Sequence, residues 1–83
     1  MFKYEYTIYV GNDTYEFFKE NESNNILRRN MQFDILSFLK RKNIKQDTIL
    51  VELTVLYDEE YYDSDTYELE ISSNYDSIEL KSA

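Results

Sequence analysis

The chain has 83 residues, 42% of them hydrophobic, with nine Tyr, five Phe and no Cys. This composition predicts one small folded domain over 1–83, and it excludes both a disulfide framework and a thiolate metal site. A formal net charge of −8 argues against direct binding to nucleic acid or to a membrane, because phosphates would be repelled. Neither a signal-peptide region nor an apolar run of membrane-spanning length is visible, so we expect a cytoplasmic protein.

Alternating side chains predict a β-hairpin in the first twenty residues. Residues 2–10 place aromatic and aliphatic side chains at every second position, which is the period of a strand with one buried face. Gly11 begins a turn over 11–13, where it can take a positive φ. Residues 14–19 then return as a second strand, with Tyr15 and Phe17 on one face and Phe18 on the other.

A helix is predicted from a polar connection at 20–25 to about residue 42. Ser23, Asn24 and Asn25 are the candidate N-caps, and Asn43 suits the C′ position. Cations in the last turn complement the helix dipole. Five apolar residues recur at helical spacing and form the predicted core stripe: Leu27, Met31, Ile35, Phe38 and Leu39. Three others widen this stripe or make a second contact: Ile26, Phe33 and Leu36.

The second half of the chain alternates again and predicts three strands. Residues 47–57 are apolar on both faces, which favours a central strand. Residues 59–65 form either a long hairpin tip or a distorted strand, and 66–72 alternate clearly with Glu68 and Glu70 outward. A turn over 73–76 and a short strand over 77–81 follow. The pattern predicts an α+β fold in which one helix covers an antiparallel sheet of four to five strands, in the order ββαβββ.

Charge is distributed unevenly along the chain. The stretch 24–45 has six cations, Arg28, Arg29, Lys40, Arg41, Lys42 and Lys45, against one Asp34. Between Gln46 and Leu80 there is no Lys or Arg, but there are eleven carboxylates: Asp47, Glu52, Asp58, Glu59, Glu60, Asp63, Asp65, Glu68, Glu70, Asp76 and Glu79. Concentrated like charge destabilises a compact state. We therefore interpret this segment as a surface for a positively charged partner, with an ordinary solvated sheet face as the alternative.

The basic segment has a structural and a functional interpretation. Its C-terminal cations complement both the helix dipole and the acidic sheet. Arg28 and Arg29 lie early in the helix, where the dipole disfavours cations. We expect them to form an intramolecular salt link to the acidic segment or a second contact.

Catalytic and cofactor sites are not predicted. The chain has no His or Cys, its Ser residues have no evident base partner, and Gly11 stands alone, so no phosphate-binding loop exists. An EF-hand reading that starts at Asp58 fails, because Tyr62, Asp63 and Leu69 occupy ligand or glycine positions. We predict a protein that is not an enzyme and assign no metal ligands. A loose cation site over 58–68 is a third interpretation.

Spacing along the strands favours mimicry of nucleic-acid charge. Outward residues two apart are separated by roughly 6.6 Å, a distance close to that between phosphates of one strand. Glu68 and Glu70 would form such a row, which Asp58 with Glu60 or Asp63 with Asp65 would extend. Neighbouring tyrosines would pack on a partner's arginines. The predicted partner-binding residues are Glu52, Asp58, Glu59, Glu60, Tyr61, Tyr62, Asp63, Asp65, Tyr67, Glu68 and Glu70.

In size, acidity and carboxylates interleaved with tyrosine over 52–79, the chain resembles small inhibitors that phages make against host defence or DNA-processing enzymes. These include anti-CRISPR proteins, restriction inhibitors and uracil-DNA glycosylase inhibitors, many of which imitate DNA. The likeness is one of overall character and not of a sequence motif. It implies an inhibitor, of phage or mobile-element origin, that blocks the basic nucleic-acid-binding site of a host protein such as a CRISPR effector.

A protein-interaction module is the competing hypothesis. An antitoxin, an immunity protein or a phage accessory protein would use exposed apolar groups, with charge serving solubility. Tyr9, Phe18, Leu50 and Leu56 are the residues expected on the second face of the sheet. If they are uncovered, a large apolar interface or a homodimer is expected.

Overall fold

One helix packs against a five-stranded antiparallel sheet, which confirms the α+β prediction. The computed structural model describes residues 1–45, 49–71 and 78–82. The predicted turn over 73–76 and the carboxylates of Asp47 and Asp76 lie outside these residues. The elements in chain order are β1 (Phe2–Val10), β2 (Asp13–Asn21), α1 (Asn24–Arg41), β3 (Ile49–Tyr57), β4 (Glu60–Ile71) and β5 (Ile78–Ser82). In space the strands lie in the order β2-β1-β3-β4-β5, so β3 is central, as its apolar sequence predicted.

The core lies between the helix and one face of the sheet, here called the helix face. Every second residue of β1 and β3 points into it, and all five residues of the predicted helix stripe are buried. The opposite face of the sheet, here called the outer face, carries the alternate residues and has no second layer over it in the described structure. The buried set is Tyr4, Tyr6, Ile8, Val10, Leu27, Met31, Ile35, Phe38, Leu39, Ile49, Val51, Leu53, Val55, Tyr67 and Leu69.

The ends of α1 follow from their capping residues. Ser23 is the N-cap, and its hydroxyl accepts a hydrogen bond from the N–H of Ile26 at 3.3 Å. Asn43 follows the C-cap with φ 55°, the left-handed conformation expected of a C′ residue. Phe33 is 71% exposed, so it does not widen the core stripe. Among the described residues, no helix is long and apolar enough to cross a membrane.

A tight turn and a bulge shape the hairpin of β3 and β4. Asp58 and Glu59 form a two-residue turn with φ of 50° and 69°, the sign that a type I′ hairpin requires at both positions. The register then shifts between Val55 and Leu56, so that β4 contains one extra residue there. Of the two alternatives for 59–65, the distorted strand is therefore correct.

A buried hydroxyl in the core gives a first stability prediction. Tyr6 is 2% exposed, and its hydroxyl has no hydrogen-bond partner within the described part of the chain. Replacing Tyr6 by Phe should therefore raise the free energy of unfolding at pH 7 by about 1–2 kcal/mol, since an unsatisfied buried group costs about 1–3 kcal/mol. Tyr4→Phe is the matched control and should lower stability, because the Tyr4 hydroxyl bonds to the Asn24 side chain.

The same substitution should change alkaline unfolding. Burial, with a smaller effect of the Asp34 charge, raises the pKa of Tyr6 to about 12. The unfolded chain releases this proton near pH 10, whereas the folded chain still holds it. The free energy of unfolding is therefore unaffected by this proton below pH 10 and falls as pH rises from 10 towards 12. Urea unfolding at several pH values should show a shallower decline for Tyr6→Phe. An equal decline in both proteins would contradict this assignment.

Candidate functional site

The strand register divides the predicted acidic site between the two faces of the sheet. Residues directly opposite each other on paired strands share a face. Asp65 lies opposite the buried Leu53, which places Asp65 on the helix face, whereas Glu68 lies opposite Leu50 on the outer face. The bulge also places Glu60 opposite Tyr57, on the helix face. The single row predicted from Glu68 and Glu70 through the aspartates is therefore wrong, since Asp65 and Glu68 are three positions apart along β4 and side chains alternate between the two faces.

Glutamates dominate the outer face. Only two lysines accompany them among the described outer-face residues, Lys3 and Lys81. The glutamates on this face are Glu5, Glu16, Glu20, Glu52, Glu68, Glu70 and Glu79, and all are exposed. Seven exposed glutamates against two lysines give this face a net negative charge.

Five of these glutamates, one from each strand, form a diagonal row across the sheet. Each glutamate lies directly opposite a residue of the next strand. The glutamate of that next strand is two positions away from this opposite residue, and always in the same direction across the sheet. Strand and residue spacings of about 4.8 Å and 6.6 Å put successive positions roughly 8 Å apart. The pairs that define the steps are Glu20 with Lys3, Glu5 with Thr54, Glu52 with Thr66 and Glu68 with Lys81, and the row ends at Glu79.

The predicted partner-binding residues contain only Glu52 and Glu68 of this row, and sequence reasoning missed the outer-face glutamates of the N-terminal hairpin. The cation-free segment begins at residue 46, so Glu5, Glu16 and Glu20 were not in the predicted site. The alternation of β1 and β2 was the available signal, because Glu5 and Glu16 occupy positions between inward aromatic residues. Strand order, which the sequence did not reveal, is what brings these glutamates next to β3 and β4.

Cations of the helix do not neutralise the outer face. In the described residues the ion pairs are Met1–Asp58, Lys3–Glu5, Lys19–Asp34 and Lys81–Glu70, at 2.7 to 3.6 Å. None involves Arg28 or Arg29, so the expected salt link to a carboxylate is absent from this part of the chain. Arg28 instead donates to the Tyr67 hydroxyl at 2.9 Å, and that bond raises the pKa of Arg28.

The tyrosines of the predicted site have three different environments. Tyr67 is 5% exposed and belongs to the core, so it is not available to a partner. Tyr61 lies on the outer face, where its hydroxyl is 3.0 Å from Ser64 Oγ. Tyr62 lies at the bulge and packs against Phe2 on the helix face. Only Tyr61 can therefore accompany the glutamate row.

Asp63 and Asp65 have local structural roles. Each accepts a hydrogen bond at 2.8 Å from the N–H of the next residue, Ser64 and Thr66 respectively. Within residues 1–45, 49–71 and 78–82, no three carboxylates converge on a point where they could hold a metal ion. Asp58 binds the amino group of Met1 at 2.7 Å and anchors the hairpin turn.

The outer face can therefore present a net negative charge to a partner, although Lys3 and Lys81 pair with Glu5 and Glu70. Exposed Phe18 and Leu50 lie between the charges and can add apolar contact. No protein-family model matches the sequence, and neither curated proteins nor solved structures gave a match.

Proposed function

We propose that this chain is a small acidic inhibitor that blocks the nucleic-acid-binding site of another protein. The observation that carries the proposal is the diagonal row of five glutamates, one on each strand, on the uncovered face of the sheet. A rigid sheet holds these charges in position before binding, which lowers the cost of ordering them at an interface.

The pitch of the row is consistent with this role. One strand of a DNA duplex carries a phosphate for each ~3.4 Å of helix axis, or two phosphates in about 6.8 Å. A carboxylate every ~8 Å, from the strand spacings above, offers about one charge for two phosphates. Counted along the helix axis, the row is therefore sparser in charge than a single backbone strand, and Glu16 beside it adds a further carboxylate.

Release by DNA is the test of this proposal. The protein would be immobilised, proteins from a bacterial lysate would be captured at low salt, and a duplex oligonucleotide would be used for elution. We expect the specific partner to be a nucleic-acid-binding protein that DNA displaces. Its DNA binding should then be inhibited stoichiometrically by this chain, and the affinity of the two proteins for each other should fall steeply with ionic strength. Partners that keep their full DNA binding when saturated with this chain would contradict the proposal.

A non-enzymatic interaction module, including a homodimer, is the second candidate function. The observation in its favour is the exposure of outer-face apolar groups, with Phe18 70% and Leu50 39% exposed. The register, however, disperses the four apolar residues predicted for this face, Tyr9, Phe18, Leu50 and Leu56. Phe18 on β2 lies opposite Glu5 of β1, and Leu56 on β3 lies opposite Lys3 of β1. Only Leu50 and Tyr9 lie opposite each other. Light scattering after size exclusion should therefore give a monomer, and a salt-independent dimer would favour this second function.

A further inference from the structure

A lysine of the chain itself lies over an exposed aromatic ring on the outer face. Phe18 is 70% exposed, and Lys3 Nζ lies 5.5 Å from the centre of its ring. Glu5 lies opposite Phe18 on the neighbouring strand, and its carboxylate is 3.6 Å from the same ammonium. Ring, cation and carboxylate thus form a complete three-part contact.

A second group of rings lies at the edge of the helix face, beyond the start of α1. Phe2, Tyr57 and Tyr62, here called the aromatic corner, have ring centres 4.7, 5.2 and 6.4 Å apart. The helix begins at Asn24, which contacts Tyr4 one step further into the core, so α1 does not cover the corner. Tyr57 remains 46% exposed and Tyr62 54%.

Carboxylates accompany the aromatic corner, and the cation beside it, the amino group of Met1, is bound by Asp58 at 2.7 Å. Glu60 lies opposite Tyr57, and Asp63 follows Tyr62 on the same face. Asp63 uses Oδ1 for the N–H of Ser64. In the described part of the chain, no Lys or Arg lies over Tyr57 or Tyr62, and none pairs with Glu60 or Asp63. In the described residues the corner therefore has the rings and carboxylates of the Phe18 contact but no Lys or Arg side chain over its rings.

We infer that the aromatic corner is a docking site for an arginine side chain on the surface of a partner protein. A guanidinium is planar, so it stacks on a tyrosine ring while its N–H groups bind a carboxylate. A lysine ammonium is a hydrated point charge and satisfies only one of these contacts well. This inference deepens the proposed function. It rests on that function only in taking the arginine to belong to the protein that this chain inhibits.

The two surfaces are on opposite faces of one sheet. The glutamate row lies on the outer face, and the aromatic corner lies on the helix face next to the β3–β4 turn. The two can engage one partner only if it wraps around the turn end of the sheet. Binding at the corner can be measured without the row, and its failure is distinguishable from failure of the proposed function.

The test uses three short peptides that differ at one position between glycines: arginine, lysine, or citrulline as the uncharged isostere of arginine. Each would be titrated into the full chain at about 0.15 M salt, where the Debye length is about 8 Å, and the ring resonances of Tyr57 and Tyr62 followed by NMR. We expect the arginine peptide to shift these resonances and to bind about two- to fivefold more tightly than the lysine peptide. Citrulline should cause no saturable shift.

Two variants and a control locate the contact. The first variant is Tyr62→Leu, which keeps an apolar group at the bulge. The second is the double substitution Glu60→Gln with Asp63→Asn. Each should weaken arginine binding about two- to fivefold. The control, Asp13→Asn with Asp34→Asn, removes the same charge from positions outside both the glutamate row and the corner and should leave binding unchanged. Saturable binding of citrulline, or an equal loss in the control, would overturn the inference. Unshifted Tyr57 and Tyr62 resonances with the arginine peptide would do the same.

Discussion

Replacing Leu53 by alanine should lower the free energy of unfolding by about 2–5 kcal/mol, the range for a buried leucine whose removal leaves a cavity. Leu53 is 2% exposed and lies at the centre of β3, between β1 and β4. A loss of this size is a large part of the 5–15 kcal/mol that a small domain has in total. The variant should therefore be partly unfolded at elevated temperature.

Leu50→Ala is the matched control for this substitution, because it changes the same residue type in the same strand. Leu50 is 39% exposed on the outer face, so its truncation should cost less than about 1 kcal/mol. Urea denaturation of both variants measures the difference directly. Equal losses would mean that the outer face is buried against something, as in a homodimer, and would contradict the exposure of Leu50 described here.

Periodicity was sufficient to predict most of the fold. All five residues of the helix stripe are buried, because an amphipathic helix has only one face that can meet the sheet. The central place of β3 followed from apolar residues on both of its faces. These features depend on local alternation, which is visible in a single sequence.

The turn between β3 and β4 was harder to predict for a physical reason. A type I′ turn is usually marked by Asn-Gly or Asp-Gly, since both central residues need positive φ. Here Asp58 and Glu59 adopt those angles without a glycine. The bulge that follows changes the face of Glu60 without leaving a signal in the alternation. Residues 59–65 consequently had two interpretations until the register was known.

The candidate site was predictable in its charge and not in its arrangement. The cation-free segment correctly pointed to Glu52, Glu68 and Glu70 as exposed residues of the sheet. Which carboxylates are neighbours depends on strand order and register, and these depend on contacts between distant parts of the chain. For that reason the contribution of Glu5 and Glu20 became visible only in the folded structure.

Reversing three central charges of the glutamate row should abolish high-affinity binding to the partner. In a Glu5→Lys, Glu52→Lys, Glu68→Lys variant, each change replaces an attraction by a repulsion, at about 1 kcal/mol or more per site at moderate salt. The combined loss is about a hundredfold or more in Kd. Isothermal calorimetry or surface binding with the DNA-displaced partner measures it, at two salt concentrations.

The control variant carries the same change in net charge away from the outer face. Asp13→Lys, Glu22→Lys and Glu59→Lys alter the first residue of β2, the β2–α1 connection and the β3–β4 turn. Long-range attraction therefore falls equally in both triple variants while the row stays intact. At about 0.15 M salt, charges further apart than about 8 Å are largely screened. The control should then retain most of the affinity, and both proteins should unfold at similar urea concentrations. If the two variants lose binding equally, net charge and not the geometry of the row drives the interaction, and the mimicry proposal fails.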